Sequence, residues 1–352
     1  MSVIHHIPGH VPAAPVELKI DTAPLGATRD RLVREERRSD GPTPLFFGAA
    51  RRSGTTWLAG MLNAHPEMEC RNEGWMFNDF GASFPQWLDE DRVRTWAARR
   101  EAQGTWLRHQ TIDETLRTIR RAMWDAVTRE AVGREGWKDW QTLRYLGDKT
   151  TTHFCTQIDE IARTFPDARF LHMLRDGRDV VVSDMFLLFK ELERREMPED
   201  ARREAAAARE HYVFGKGKRT PLFRPAVLRY LTTEWATSVM GGRRAQALLG
   251  PGQWHEVRFE MIAEHPVDEL RAILSWLDVA ADDALTTQIV QRHTFERLSG
   301  GRSRGQEEPT AEWRKGIIGD WKNHFTNEDR FLFKSIAGEL LIELGYEQGT
   351  DW

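Results

Sequence analysis

The stretch Pro44-Leu-Phe-Phe-Gly-Ala-Ala-Arg-Arg-Ser-Gly-Thr-Thr-Trp-Leu-Ala-Gly-Met-Leu-Asn-Ala-His-Pro66 constrains the fold more than any other part of the chain. Leu45 to Phe47 is apolar and runs into Gly48, Ala49 and Ala50 without alternation, the pattern of a strand buried on both faces. A polar turn follows, and then Trp57, Leu58, Met61 and Leu62 fall at helical spacing, with Asn63 and Pro66 marking the stop. A strand that passes through a tight turn into a helix aims free backbone N–H groups at one point, and such a point favours an anion. Gly54 permits close backbone approach, Thr55 and Thr56 add hydroxyl donors, and Arg51 and Arg52 add fixed positive charge. The stretch reads as a phosphate-binding loop.

It is not the common nucleotide loop, which needs a lysine and a hydroxyl directly after its last glycine. Here Thr55 follows Gly54 and the cations precede it.

The rest of the chain sets the frame around this loop. Its 352 residues are enough for one large α/β domain with a real core. A net charge of -4 gives no global footprint of nucleic-acid binding, so local basic residues must do any anion work. Two cysteines, Cys70 and Cys155, argue against a disulfide framework and for a reducing compartment. No apolar run reaches the length of a membrane span and no leader pattern is visible, so the expectation is a cytoplasmic protein with no membrane partner.

Residues 1–43, with scattered prolines, His5 and His6 and a charged run from Arg29 to Arg38, read as a partly disordered arm, and residues 44–352 as a single domain. Strand patterns are expected at Leu143–Leu146, Arg169–Leu174 and Trp254–Phe259, each followed by helical spacing. Residues 85–131, rich in Trp, Arg, Leu and Ala, read as a helical insertion, and 190–220 as a solvated charged helix with a mobile loop. The fold class is therefore α/β, P-loop-like, with a mainly parallel central sheet and helices on both faces.

Two further constellations carry chemistry. Arg175 stands just past a buried strand, at the edge where open α/β sheets bind ligands. Ser183 lies about two helical turns on, so both can reach one phosphate, the arginine with a fork and the serine with a hydroxyl. Near the C-terminus, Glu312-Trp-Arg-Lys-Gly-Ile-Ile-Gly-Asp-Trp-Lys-Asn-His-Phe-Thr326 places adjacent cations Arg314 and Lys315 beside Gly316 in a loop.

Arg-Ser-Gly-Thr-Thr-Trp, the Arg175–Ser183 pair and Arg-Lys-Gly with Gly-Asp-Trp-Lys-Asn together resemble, in order, the motifs of sulfotransferases that use 3′-phosphoadenylyl sulfate (PAPS). They span residues 45 to 326. The resemblance implies a sulfotransferase-type fold and the transfer of a sulfuryl group, with adenosine 3′,5′-bisphosphate (PAP) as product and no metal. It implies that Arg52, Ser53, Gly54, Thr55 and Thr56 hold the 5′-phosphosulfate, with Arg51 beside them, and that Trp57 stacks on adenine. Arg175, Ser183, Arg314, Lys315 and Gly316 would bind the 3′-phosphate. Arg258-Phe-Glu260 resembles the family's Arg-Tyr-Glu stretch, with Phe259 in place of tyrosine.

Cytosolic relatives carry a lysine where Arg52 stands. Arginine stabilises a leaving oxygen but does not readily give up a proton. Lys149 is a candidate second cation beside the sulfuryl group. The acceptor needs a base, and the resemblance offers Glu73, in a stretch like that of carbohydrate sulfotransferases, ahead of His153. The expected acceptor is a hydroxyl, less readily an amine, on a small-molecule, natural-product or carbohydrate scaffold. A P-loop-type nucleotide kinase and a non-catalytic protein that binds the bisphosphate are the competing readings.

Overall fold

The computed structural model of the chain describes residues 41–72, 90–104, 142–149, 152–215 and 221–352, with isolated positions between 114 and 138. Pro42–Trp352 forms one compact unit. Its centre is a sheet of five strands, β1 (Thr43–Gly48), β2 (Met68–Asn72), β3 (Tyr145–Lys149), β4 (Arg169–Leu174) and β5 (Trp254–Arg258), in the order β2-β3-β1-β4-β5. All four pairings are parallel. The fold is thus α/β with a parallel sheet, as the alternation of strand and helix patterns implies.

The helices in chain order are α1 (Thr55–Asn63), α2 (Glu90–Ala102), α3 (Thr152–Thr164), α4 (Gly177–Glu191), α5 (Glu199–Tyr212), α6 (Pro225–Leu248), α7 (Phe259–Glu264), α8 (Pro266–Trp276), α9 (Asp283–Arg292), α10 (Phe295–Leu298) and α11 (Asn327–Glu343). They cover both faces of the sheet. Alternate residues of β1 show why Leu45–Phe47 is apolar throughout: Leu45 and Phe47 pack with α1, α8 and α9, while Phe46 packs on the other face with Phe165, Phe170 and Ile158. No helix among the described residues is long and apolar enough to cross a membrane.

Two expectations change. The strand expected at Leu143–Leu146 runs instead from Tyr145 to Lys149, through a Gly-Asp that reads like a turn. Gly147 is a packing glycine here, since a Cβ on it would lie 2.7 Å from Cys70 Sγ on neighbouring β2. Flanking strands on both sides bury Asp148 and Lys149, so Lys149 reaches the carboxyl edge from inside the sheet. The charged segment after residue 190 is likewise not simply solvated. In α5 the side chains of Ala201, Ala205 and Ala208 form a buried stripe that lets α5 approach α6 closely. Residues 216–220, expected to form a mobile loop, lie outside the described residues, as do 1–40 of the expected arm and, in the expected insertion, 85–89 and most of 105–131.

The last helix, α11, has a capped start. Thr326 caps α11 through a reciprocal pair: its hydroxyl accepts from Asp329 N–H, and the Asp329 carboxylate accepts from Thr326 N–H.

Candidate anion-binding site

The chain leaves the carboxyl ends of β1, β3, β4 and β5 at one edge of the sheet, and a cavity of about 370 Å³ opens there. Its lining includes Arg51, Arg52 and Gly54–Trp57 after β1, Lys149 at the end of β3, Arg175 after β4, Ser183 on α4, Phe259 after β5, and Glu312–Ile317. The three motif-bearing segments of the sequence therefore meet in one place.

The loop after β1 is built by its backbone. Gly54, at φ 94°, caps α1 without any side-chain hydrogen bond to the helix start. The helical bonds begin only with Trp57 N–H donating to Gly54 O, so the N–H groups of Gly54, Thr55 and Thr56 lie ahead of the first internal acceptor. A Cβ on Gly54 would stand 2.6 Å from the Phe259 ring, which explains glycine twice over. Arg52 also adopts the left-handed region, at φ 63°, a conformation rare outside glycine. That turn sends its carbonyl toward Arg175, whose Nη1 donates to it at 2.8 Å. The Arg52 guanidinium spans to Ser183 Oγ at 3.2 Å, to Glu312 Oε1 at 3.2 Å and to the Glu312 carbonyl at 3.0 Å. Lys149 Nζ donates to Thr56 Oγ1 at 3.4 Å, which places its ammonium against the loop. Arg51 stands at the border, 3.6 Å from Glu191.

Trp57 is fixed rather than loose: its indole N–H donates to the His293 carbonyl at 2.7 Å, and its ring meets Phe259 edge-on at 6.1 Å. Phe259 in turn lies under the Arg175 guanidinium, 4.1 Å from it. Glu260 accepts the Asp176 N–H and the Tyr346 hydroxyl, both at 3.0 Å, and so supports the turn behind Arg175.

The C-terminal cations carry carboxylates. Lys315 Nζ and Asn323 Nδ2 donate to Asp320 Oδ1 at 2.7 and 2.9 Å. Arg314 binds both Glu307 and Asp320, and its guanidinium stacks on Phe186 at 4.4 Å. Burial would raise the Asp320 carboxyl, but the hydrogen bonds from His324, Lys315, Asn323 and Arg314 outweigh it and hold its pKa well below the usual aspartate range. Glu307, Asp320 and His324 also form the one group of potential metal ligands found among the described residues, yet the two carboxylates already hold Arg314 and Lys315. Asp179, buried in α4, accepts Gly319 N–H at 2.6 Å and Trp321 N–H at 3.0 Å. Burial pushes its carboxyl up, against the pull of Arg175 and of these two amides.

The charges in this cavity favour an anion. The Arg175 guanidinium has its pKa lowered, first by burial and also by the nearby charges of Arg52 and Arg314, with Asp179 and Glu260 opposing. Three buried donors around the cavity, the Ser53 hydroxyl, Arg175 Nε and Arg314 Nε, have no hydrogen-bond partner. Buried polar groups normally find one, and anionic phosphate oxygens are the acceptors such donors lack. The residues present therefore fit a doubly anionic ligand.

Of the residues singled out from sequence, Arg51–Trp57, Lys149, Arg175, Ser183 and Arg314–Gly316 are brought together, Ser53 beneath the loop and the others lining the cavity. Glu73 lies outside the described residues. His153 falls in the first turn of α3, with its side chain outside them. Sequence reasoning missed Asp179, Glu260, Glu312 and Asp320 as parts of the site. A signal existed for two of them: Asp179 abuts the apolar run Val180–Val182, and Asp320 sits between Gly319 and buried Trp321, positions where a carboxylate must be partnered.

A family model identifies the family of the chain. The family model described as "Sulfotransferase family" matches residues 44–213 and 200–283, ending before the Glu312–Thr326 segment. Protein-tyrosine sulfotransferase 2 of Gallus gallus is 30% identical over 139 residues, 40% of this chain and 33% of that protein. Protein-tyrosine sulfotransferase A of Caenorhabditis elegans is 24% identical over 239 residues, 68% of this chain and 50% of that protein. The matches thus span about a third to a half of the length of these relatives. Among solved structures, the sulfotransferase domain from the curacin biosynthetic pathway superposes with a TM-score of 0.48 at 15% identity, covering 86% of this chain and 98% of that one.

Proposed function

We propose, for a chain that belongs to the sulfotransferase family, that the cavity binds PAPS and that the protein transfers its sulfuryl group to an acceptor hydroxyl. One observation carries this reading: the N–H-rich loop after β1, Arg175 with Ser183, and Arg314 with Lys315, three segments remote in sequence, line a single cavity. A single isolated phosphate would need one segment. Two anionic groups held apart on one nucleotide account for all three.

When bound, the donor supplies the sulfuryl group and departs as PAP. The N–H groups of Gly54, Thr55 and Thr56 and the hydroxyls of Ser53 and Thr56 hold the 5′ side, and Trp57 with Phe259 flanks the base. Arg175, Ser183, Arg314 and Lys315 hold the 3′-phosphate. Negative charge builds on the bridging oxygen as the bond to sulfur breaks, so cations aimed there lower the barrier without further reorganisation. Lys149, against Thr56, fills that role, and Arg52 joins it when its guanidinium leaves Ser183 and Glu312 for the bound donor. Arg52 stays charged throughout, so a protonated leaving oxygen would take its proton from another donor.

The base is assigned to Glu73, with His153 as the alternative. Glu73→Gln is expected to leave bisphosphate affinity unchanged within about 2-fold and to lower turnover by about 100-fold or more. Normal turnover in Glu73→Gln together with loss in His153→Ala would reverse the assignment.

The acceptor is a hydroxyl. Since relatives include protein-tyrosine sulfotransferases, the tyrosyl phenol joins the small-molecule, natural-product and carbohydrate hydroxyls as a candidate. The test is incubation of the purified protein with sulfur-labelled PAPS and a panel of acidic tyrosine peptides, simple phenols, alcohols and sugars. Label transfer to one class with release of PAP is expected. Bisphosphate binding with no transfer to any class would instead mark a non-catalytic binder.

A further inference from the structure

Arg175 stands just before α4 and Ser183 midway along it, whereas Arg314 and Lys315 stand in a loop far along the chain. Nothing in the covalent chain sets the distance between these pairs. Asp179 does so through space. It lies in the first turn of α4 and is 2% exposed. Its Oδ2 accepts Gly319 N–H and its Oδ1 accepts Trp321 N–H, so the carboxylate grips the turn at two points. Between those points sits Asp320, which holds Arg314 and Lys315. Four residues past Asp179, on the same face of α4, is Ser183. Two buried carboxylates thus do different work: Asp320 orients the cation side chains, and Asp179 ties the backbone that carries Asp320 to the helix that carries the other half.

We propose that Asp179 is a positioning residue that fixes the spacing of the two cation-bearing segments, and so sets how strongly the site prefers a ribose carrying a 3′-phosphate. The inference rests on the PAPS-site reading above. Asp179 acts through α4 and the Gly319–Trp321 turn, with its own two oxygens committed to backbone amides. A carboxylate in this arrangement accepts charge-assisted hydrogen bonds, and its removal leaves two N–H groups unpaired. The turn then relaxes away from α4, and Arg314 and Lys315 no longer converge with Arg175 and Ser183 on one phosphate. The backbone N–H groups of the loop after β1 lie outside this change, and the loop reaches the two segments through the Arg52 side chain, on Ser183 and Glu312. A merely structural tether would behave differently, since its loss would weaken every ligand alike.

The test is calorimetric titration of the full chain and of Asp179→Asn and Asp179→Ala with two ligands, PAP and adenosine 5′-monophosphate. The wild type is expected to prefer the bisphosphate by about 100-fold. Asp179→Ala is expected to cut that preference about 10-fold or more, through lost bisphosphate affinity, with the monophosphate unchanged within about 2-fold. Asp179→Asn keeps one acceptor oxygen and should fall between. Gly319→Ala probes the same contact from its partner: the added methyl meets nothing within 4 Å, but φ of 77° disfavours any side chain. It should lower the preference in the same direction by a smaller factor, and it keeps the question open to test if Asp179→Ala fails to fold. Equal weakening of both ligands, or an unchanged preference in Asp179→Asn and Gly319→Ala, overturns the proposal. A wild type with no preference for the bisphosphate overturns the PAPS-site reading and this proposal with it.

Discussion

After β1 the cavity wall is backbone, a left-handed glycine and a row of N–H groups ahead of the first helical bond. In the Arg175, Ser183 and Arg314–Lys315 half it is side chain, drawn from segments remote in sequence and held by the carboxylates of Asp179 and Asp320. The first half takes its anion-binding N–H groups from one short stretch of chain, braced by Arg175 and Lys149 from neighbouring strands. The second exists only once the whole domain has closed, because its parts lie on different elements. The difference teaches where each half should be fragile: the loop to changes of conformation, the other half to changes of charge.

The largest effect should come from breaking the loop's conformation. Gly54→Ala places a Cβ against Phe259 and forces a side chain into the left-handed region. Its bisphosphate affinity, measured by calorimetry, should drop by more than ~100-fold, with 5′-monophosphate affinity falling in step. Next, Arg175→Ala removes a guanidinium that both faces the cavity and holds the Arg52 carbonyl. Bisphosphate affinity should fall about 10- to 100-fold, with a smaller loss for the monophosphate because the Arg52 turn is also disturbed. If the monophosphate lost more than the bisphosphate, the division into two halves would be wrong.

The smallest effect concerns Asp320 and pH. Its folded pKa is depressed by the hydrogen bonds from His324, Lys315, Asn323 and Arg314. A depressed carboxyl contributes stability that is present above the ordinary aspartate range, near pH ~4, and is lost as the pH falls through the folded value. The wild-type melting temperature should therefore fall below about pH 4 by a few degrees more than that of Asp320→Asn, which is less stable at neutral pH but lacks this step. Parallel curves would show that Asp320 is not what ties the cations down.

The contrast between the halves also explains what was legible in the sequence. The β1–α1 unit is local, and its burial pattern, turn chemistry and helix spacing all lie within one stretch, so strand, loop and helix could be placed directly. Arg175, Ser183, Arg314 and Lys315 were visible as cations and donors at strand and helix ends. For Asp179 and Asp320 the sequence signals only a carboxylate that needs a partner; which partner depends on contacts across more than a hundred residues and within a turn whose conformation no spacing rule gives. Gly147 misled for a similar reason: glycine marks a turn locally, but here it makes room for Cys70 on the adjacent strand. The alanine stripe of α5 looked solvated because alanine carries little hydrophobic signal, and only the close approach to α6 gives it a buried face.

The most direct test of a two-part nucleotide site is calorimetric titration of the purified chain with PAP in the absence of metal, against ATP with magnesium as control. The account predicts tight binding of PAP without metal, and ATP binding weaker by about 100-fold or more, because ATP lacks the 3′-phosphate that Arg175, Ser183, Arg314 and Lys315 are placed to hold. A preference for ATP with magnesium would contradict it and turn the loop after β1 into the site of a nucleotide kinase.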